Sequence, residues 1–260
     1  MRADGTGGHD LAIPGAGAYP STSPDGASLL FTDGAEQTLS LYRFVDGSTQ
    51  TMPTTGAGCC NGVTGGSLSF DGKRLVYLDG REDILTVDVS GAPAPRLLFQ
   101  QPGPLGGLIR PVLAADSRTV LFAAPYEVRS VSVDGGPVRT LLTTDTKAVP
   151  GLANPTLSPD LSQLAAIVSC VGENPALRVW SLAALPAACS SGRAVANDLD
   201  RVAYSVPAWG PTGLIAYTHA GDILFVDQNG GAVTNLTASL THGKGDATYP
   251  TWVSGCVKLP

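Results

Sequence analysis

One turn motif recurs along the 260 residues at near-constant spacing, which restricts the chain to a repeat architecture. Ala18–Gly26 (AYPSTSPDG) leads into the apolar run 27–31, and Gly66–Gly72 (GSLSFDG) into 73–77. Arg110–Ser117 (RPVLAADS) leads into 118–122, and Asn154–Asp160 (NPTLSPD) into 161–167. Val206–Gly213 (VPAWGPTG) and Tyr249–Gly255 (YPTWVSG) repeat the pattern before 214–217 and 256–259. The turn aspartates Asp25, Asp71, Asp116 and Asp160 lie 46, 45 and 44 residues apart. Thr212 takes the same place 52 residues after Asp160, and Ser254 follows about 42 later.

Each copy has the same internal order. A short strand is entered through Pro, whose missing N–H is tolerated at a strand's first residue. A Ser-Pro-Asp-Gly turn follows, with Pro fixing φ and Gly supplying a positive φ. Next come an apolar strand, a short polar loop and a third strand: 39–44, 84–89, 128–133, 177–182 and 223–227. Hairpin dipeptides then appear at Asp46-Gly47, Ser90-Gly91, Asp134-Gly135 and Asn229-Gly230. A weaker fourth strand closes the unit, as at 138–142 and 232–236. Four antiparallel strands per 40–50 residues is the size of one propeller blade. A β-sandwich also uses short strands and regular turns, but it does not need one turn chemistry six times.

The expected fold is an all-β, six-bladed β-propeller of four-stranded antiparallel blades. Residues 1–260 form one domain, with repeats starting near 18, 64, 109, 153, 205 and 248. Residues 1–13 complete the last blade, so the ring closes through a blade shared between the termini. Five blades with two tails is the alternative. The 32 glycines and 20 prolines fit this reading as turn punctuation and argue against long helices.

The Pro-x-x-Ser-Pro-Asp-Gly turn, apolar strand and Asp-Gly hairpin resemble the TolB-type propeller repeat over essentially the whole chain. The likeness is strongest at 18–50 and 64–99. It implies a six-bladed propeller, typically periplasmic or secreted in bacteria, that binds other macromolecules. No separate α/β domain precedes the repeats here, and related propellers are attached to peptidases and other modules. The Gly-His and Trp-Asp pairs that WD-repeat propellers carry in each blade do not recur here.

The net charge is −6 and the pI about 4.9, with no Lys/Arg-rich run, so nucleic acid is not an expected partner. No apolar stretch approaches the roughly 18 residues of a membrane span. Met1–Gly5 lacks an apolar signal-peptide core, so a mature form or excised domain is expected, periplasmic or extracellular.

Chemistry-bearing residues are sparse. Gly65-Gly66-Ser67-Leu68-Ser69 fails as a nucleophile elbow at its last position. The histidines are His9, His219 and His242; a propeller would put the last two on one rim. Asp79–Asp83 lacks the density of a calcium loop. No Cys/His spacing suits a metal, and no cofactor is expected. Asn235-Leu236-Thr237 matches a glycosylation acceptor. Among five cysteines, Cys170 and Cys189 flank one hairpin and are candidates for a disulfide, while the pairing of Cys59, Cys60 and Cys256 is open. Tyr19, Arg110, Asn154 and Tyr249 precede the first strands of their blades and would line one channel mouth. With His219 and His242 they form the candidate binding set. The irregular insertions 54–63, 101–107 and 183–200 are further places for specificity. The expected function is a non-catalytic, monomeric scaffold recognising a protein, peptide or glycan. The alternative is a peptidase propeller, or a lyase or hydrolase with its site over the channel.

Overall fold

The computed structural model describes residues 13, 15, 17–23, 26–33, 38–52, 63, 65–69, 71–89, 94–100, 109–124, 126–143, 152–170, 173–197, 199, 207–238 and 250. They build five antiparallel sheets in chain order, a β-propeller. Blade 1 comprises β1 (Ala18–Thr22), β2 (Ser28–Thr32), β3 (Leu39–Arg43) and β4 (Thr49–Thr51). Blade 2 comprises β5 (Gly66–Leu68), β6 (Arg74–Leu78), β7 (Ile84–Asp88) and β8 (Arg96–Phe99). Blade 3 comprises β9 (Ile109–Leu113), β10 (Thr119–Ala124), β11 (Glu127–Ser132) and β12 (Arg139–Thr143). Blade 4 comprises β13 (Leu152–Leu157), β14 (Gln163–Val168), β15 (Ala176–Ser181) and β17 (Arg193–Ala196). Blade 5 comprises β18 (Ala208–Trp209), β19 (Leu214–His219), β20 (Asp222–Asp227) and β21 (Thr234–Asn235). The described residues thus show five blades where six were expected. Of the segments assigned to the sixth, 1–13 and 248–260, all but Ile13 and Pro250 lie outside them.

The second strands are apolar almost throughout because both faces are covered. Leu75 and Tyr77 of β6 pack on blade 1, against Leu30, Leu39 and Leu41. Val76 and Leu78 of the same strand pack on blade 3, against Val120 and Phe122. Leu121 and Ala123 then meet Leu164 and Ala166 of blade 4, whose Ala165 and Ile167 meet Ile215 and Tyr217 of blade 5. Strand pleating therefore distributes one apolar run between two inter-blade cores. Outer-strand arginines add lateral links. The Arg96 Nη1 donates to the Asp134 carbonyl at 2.7 Å, and the Arg193 Nη2 to the Gln228 carbonyl at 2.9 Å, each in the next blade.

The recurring turn owes its chemistry to Ser and Asp. The amides of Gly26, Gly72, Ser117, Leu161 and Gly213 donate to carbonyls three residues back, closing the same turn in every blade. All five residues have positive φ, from 55° at Ser117 to 82° at Gly213. The Ser69 and Ser158 hydroxyls donate to Asp71 and Asp160 at 2.6 Å and accept from the Arg74 and Gln163 amides at 2.9 Å. Leu161 holds φ 59°, a left-handed conformation that costs a branched side chain about 1–2 kcal/mol. Leu161→Gly is expected to raise stability by about 0.5–1 kcal/mol in chemical denaturation, after the entropy of the added glycine is subtracted.

These hydrogen bonds also set an acid limit. The Ser69 hydroxyl, then the Lys73 amide, hold Asp71 below the usual carboxylate value of 3.8, and the Ser158 hydroxyl does the same for Asp160. At Asp116 burial pushes upward, but the Thr119 hydroxyl and the backbone amides of Thr119 and Arg118 outweigh it. Folded carboxylates with depressed pKa contribute stability that is complete above the unfolded value and is lost as pH falls through the folded one. The melting temperature is therefore expected to fall below about pH 4, and less steeply in Asp71→Asn.

Two features depart from the sequence reading. Pro20, Pro111 and Pro155 are not first residues of strands but lie inside β1, β9 and β13. Each sits in a β-bulge: 19–20 oppose Phe31, 110–111 oppose Phe122, and 154–155 oppose Ala166. A bulge leaves one residue unpaired, which accommodates the missing N–H. The second departure is β16 (Ala187–Ala188), from the 183–200 insertion of blade 4. It pairs in parallel with β12 and gives blade 3 a fifth strand.

Candidate functional site at the channel mouth

The innermost strands β1, β5, β9, β13 and β18 neighbour one another in turn. A hydrogen bond from the Leu113 amide to the Ser67 hydroxyl, 3.1 Å, ties β9 to β5. Register defines the two ends of this inner wall. Ala18 pairs with Thr32 and Thr22 with Leu29, so the start of β1 lies beside the β2–β3 loop. The Ser-Pro-Asp-Gly turns occupy the opposite end.

Tyr19, Arg110 and Asn154 therefore stand at the same end, each at the bulge of its strand. Bulges re-aim side chains and are common beside functional sites. Tyr19 has φ 54°, an uncommon left-handed conformation for an aromatic residue. The repeat register makes Gly65 its equivalent in blade 2, and Gly65 has φ 70°. A Cβ on Gly65 would lie 2.7 Å from Arg110 Cδ and 2.9 Å from Tyr19 Cβ. Tyr19 and Arg110, from blades 1 and 3, thus close together over a position that carries no side chain. The Arg110 Nη2 donates to the Pro20 carbonyl at 3.4 Å, spanning the same two blades. Gly65 entered the sequence analysis only as part of a failed nucleophile elbow, although aligning the repeats makes it the equivalent of Tyr19.

His219 ends β19 on the same rim and pairs in register with Asp222 across the tight Ala220-Gly221 turn, φ 52° and 81°. Asp222 is held by Asn235 Nδ2 and Thr237 Oγ1, both at 2.8 Å. The glycosylation-type triplet thus fastens the hairpin that carries His219. Tyr126, half-exposed, lies in the β10–β11 turn of this rim and was not anticipated. His242, Tyr249 and the insertions 54–62 and 101–107 lie outside the described residues.

Asp79, in the loop judged too sparse for calcium, caps its own turn, its Oδ1 accepting from the Arg81 and Asp83 amides at 2.9 Å. Among the described residues no three His, Cys, Asp or Glu side chains gather as a metal site would require. No helix among them is long and apolar enough to cross a membrane. Cys170 and Cys189 are joined by a disulfide, with Cα atoms 5.8 Å apart.

No protein-family model matches the chain, and no curated protein sequence matches it. Solved structures do. TolB from Acinetobacter baumannii superposes with a TM-score of 0.68 at 15% identity, over 84% of this chain and 53% of that one. This chain therefore spans about half the length of that TolB. A putative TolB from Agrobacterium tumefaciens gives 0.61 at 20% identity, covering 84% and 79%. A chain of the nidogen/laminin complex gives 0.62 at 16%, covering 84% and 78%. At these identities the likeness concerns architecture, and it establishes that the chain has the β-propeller fold found in TolB.

Proposed function

We propose that the chain is a non-catalytic, monomeric binding propeller that recognises a protein, peptide or glycan at the mouth framed by Tyr19, Arg110, Asn154 and Tyr249. The convergence of Tyr19 and Arg110 over Gly65 carries this reading. Tyr and Arg are the residue types that concentrate binding energy at interfaces. His219 ends β19 on this rim, and the proposal extends the recognition set to His242 and the insertions 54–63 and 101–107. The net charge of −6 disfavours nucleic acid. The Cys170–Cys189 bond favours a periplasmic or extracellular site, since disulfides persist in oxidising compartments.

We further propose that residues 3–13 and 249–259 complete the ring as a sixth blade. In support, β13 neighbours β18, but among the described residues no comparable approach joins β18 back to β1. Ile223 and Phe225 of blade 5 are also only half-buried, where the matching strands of blades 2 and 4 are buried.

The test is affinity capture with three proteins: wild type, Arg110→Ala, and Arg43→Ala at the opposite end, each checked for folding by its melting curve. A partner held by wild type and Arg43→Ala but weakened at least about tenfold by Arg110→Ala supports the reading. Equal retention by both variants, or a measured turnover without a partner, contradicts it.

A further inference from the structure

Blade 3 alone among the described blades carries a fifth strand, and that strand belongs to blade 4. After β15 the chain makes a 3-10 turn at Leu182–Ala184, crosses to pair Ala187 with Leu142 and Ala188 with Thr143, and turns again at Cys189–Ser191. It then re-enters blade 4 as β17.

The attachments of this strap are few. Ala183, Ala184, Pro186, Ala188, Ser190 and Ser191 are exposed, while Leu182, Leu185 and Ala187 are half-buried. Cys189 is fully buried, bonded to Cys170 in the core between blades 3 and 4. The Trp180 Nε1 donates to the Ala188 carbonyl at 3.3 Å, and the Arg178 Nη1 to the Gly192 carbonyl at 2.6 Å. Leu182, Leu185 and Ala187 pack on that core and the Leu182 amide donates to the Ser162 carbonyl at 2.8 Å, but the crossing to blade 3 itself rests on a two-residue parallel bridge and two side-chain bonds, which offset little of the entropy lost in ordering it. The disulfide is the covalent anchor of this crossing.

We propose that the strap is a redox-controlled cover over the outer edge of blade 3. In the oxidised chain it occupies the edge of β12. Reduction by a dithiol transfers two electrons and two protons: the Cys170–Cys189 bond breaks, each sulfur becomes a thiol, and the reductant closes its own disulfide. Cys189 is fully buried and Cys170 nearly so, so a dithiol attacks during a transient local opening that exposes one sulfur, and breaking the bond makes that opening persistent. Once released, the strap leaves the backbone of Leu142 and Thr143 as an open strand edge, with Leu141, Leu142 and the Trp180 ring beside it. Open edges of this kind pair with other chains. The five sheets do not depend on the strap, because each retains its own four strands.

Hydrogen–deuterium exchange of the full chain tests this, before and after reduction by dithiothreitol, with thiol alkylation confirming that the bond is broken. The Cys170→Ala/Cys189→Ala double variant is measured in parallel, and if it fails to fold the pre-folded reduced protein carries the test. The bridge amides at 142–143 and 187–188 are expected to exchange on the order of 100-fold faster, the entropic worth of closing a loop of this size. Strands β14 and β15 should stay protected. Unchanged protection of the bridge after verified reduction overturns the proposal. So does loss of β14 and β15 protection together with the strap.

Discussion

Trp180→Ala is expected to lower the unfolding free energy by about 3–5 kcal/mol, the usual range for deleting a buried aromatic side chain. Trp180 is 3% exposed and lies in the core between blades 3 and 4, with Leu121, Leu142 and Leu164. It also supports the strap. A Cβ on Gly192 would lie 2.3 Å from Trp180 Cε2, so glycine lets the backbone lie against the indole. Truncation therefore removes packing on one side and a platform on the other. Denaturant titration should show the drop, with Val45→Ala as control. Val45 is 85% exposed, and its change should stay within about 0.5 kcal/mol.

Gly65→Val is the second large effect, at about 2–5 kcal/mol. The left-handed φ of 70° costs a side chain about 1–2 kcal/mol. The added carbons also meet Arg110 Cδ and Tyr19 Cβ inside 3 Å, and overpacking typically costs about 1–3 kcal/mol. Arg110 must then swing away, so partner capture should weaken together with stability. Gly72→Val supplies the contrast. Its φ of 66° is similar but open space surrounds it, so it should lose stability through the backbone alone and leave capture intact.

The repeated elements could be read because their signals are local. Ser158 and Asp160 bond within their own turn, and Gly135 and Gly230 supply positive φ inside their own hairpins. The third strands differ from their expected limits by about one residue. What escaped depends on contacts distant in sequence. Pro20, Pro111 and Pro155 read as strand openers because a bulge is defined by the partner strand. Gly65 matters through residues of two other blades. Ala187–Ala188 has no strand pattern of its own, and its parallel pairing joins an insertion to a neighbouring blade. Leu161 stands where blades 1, 2 and 5 place glycine, and the surrounding Ser158 and Asp160 bonds hold the turn despite it.

Tyr249 belongs to the binding mouth only if the termini complete the ring as a sixth blade. Hydrogen exchange on the full chain and on a variant lacking residues 1–13 tests this most directly. Residues 249–259 are expected to be protected in the full chain and to lose that protection in the truncated one. Protection of 249–259 that survives the truncation unchanged would contradict the six-bladed ring.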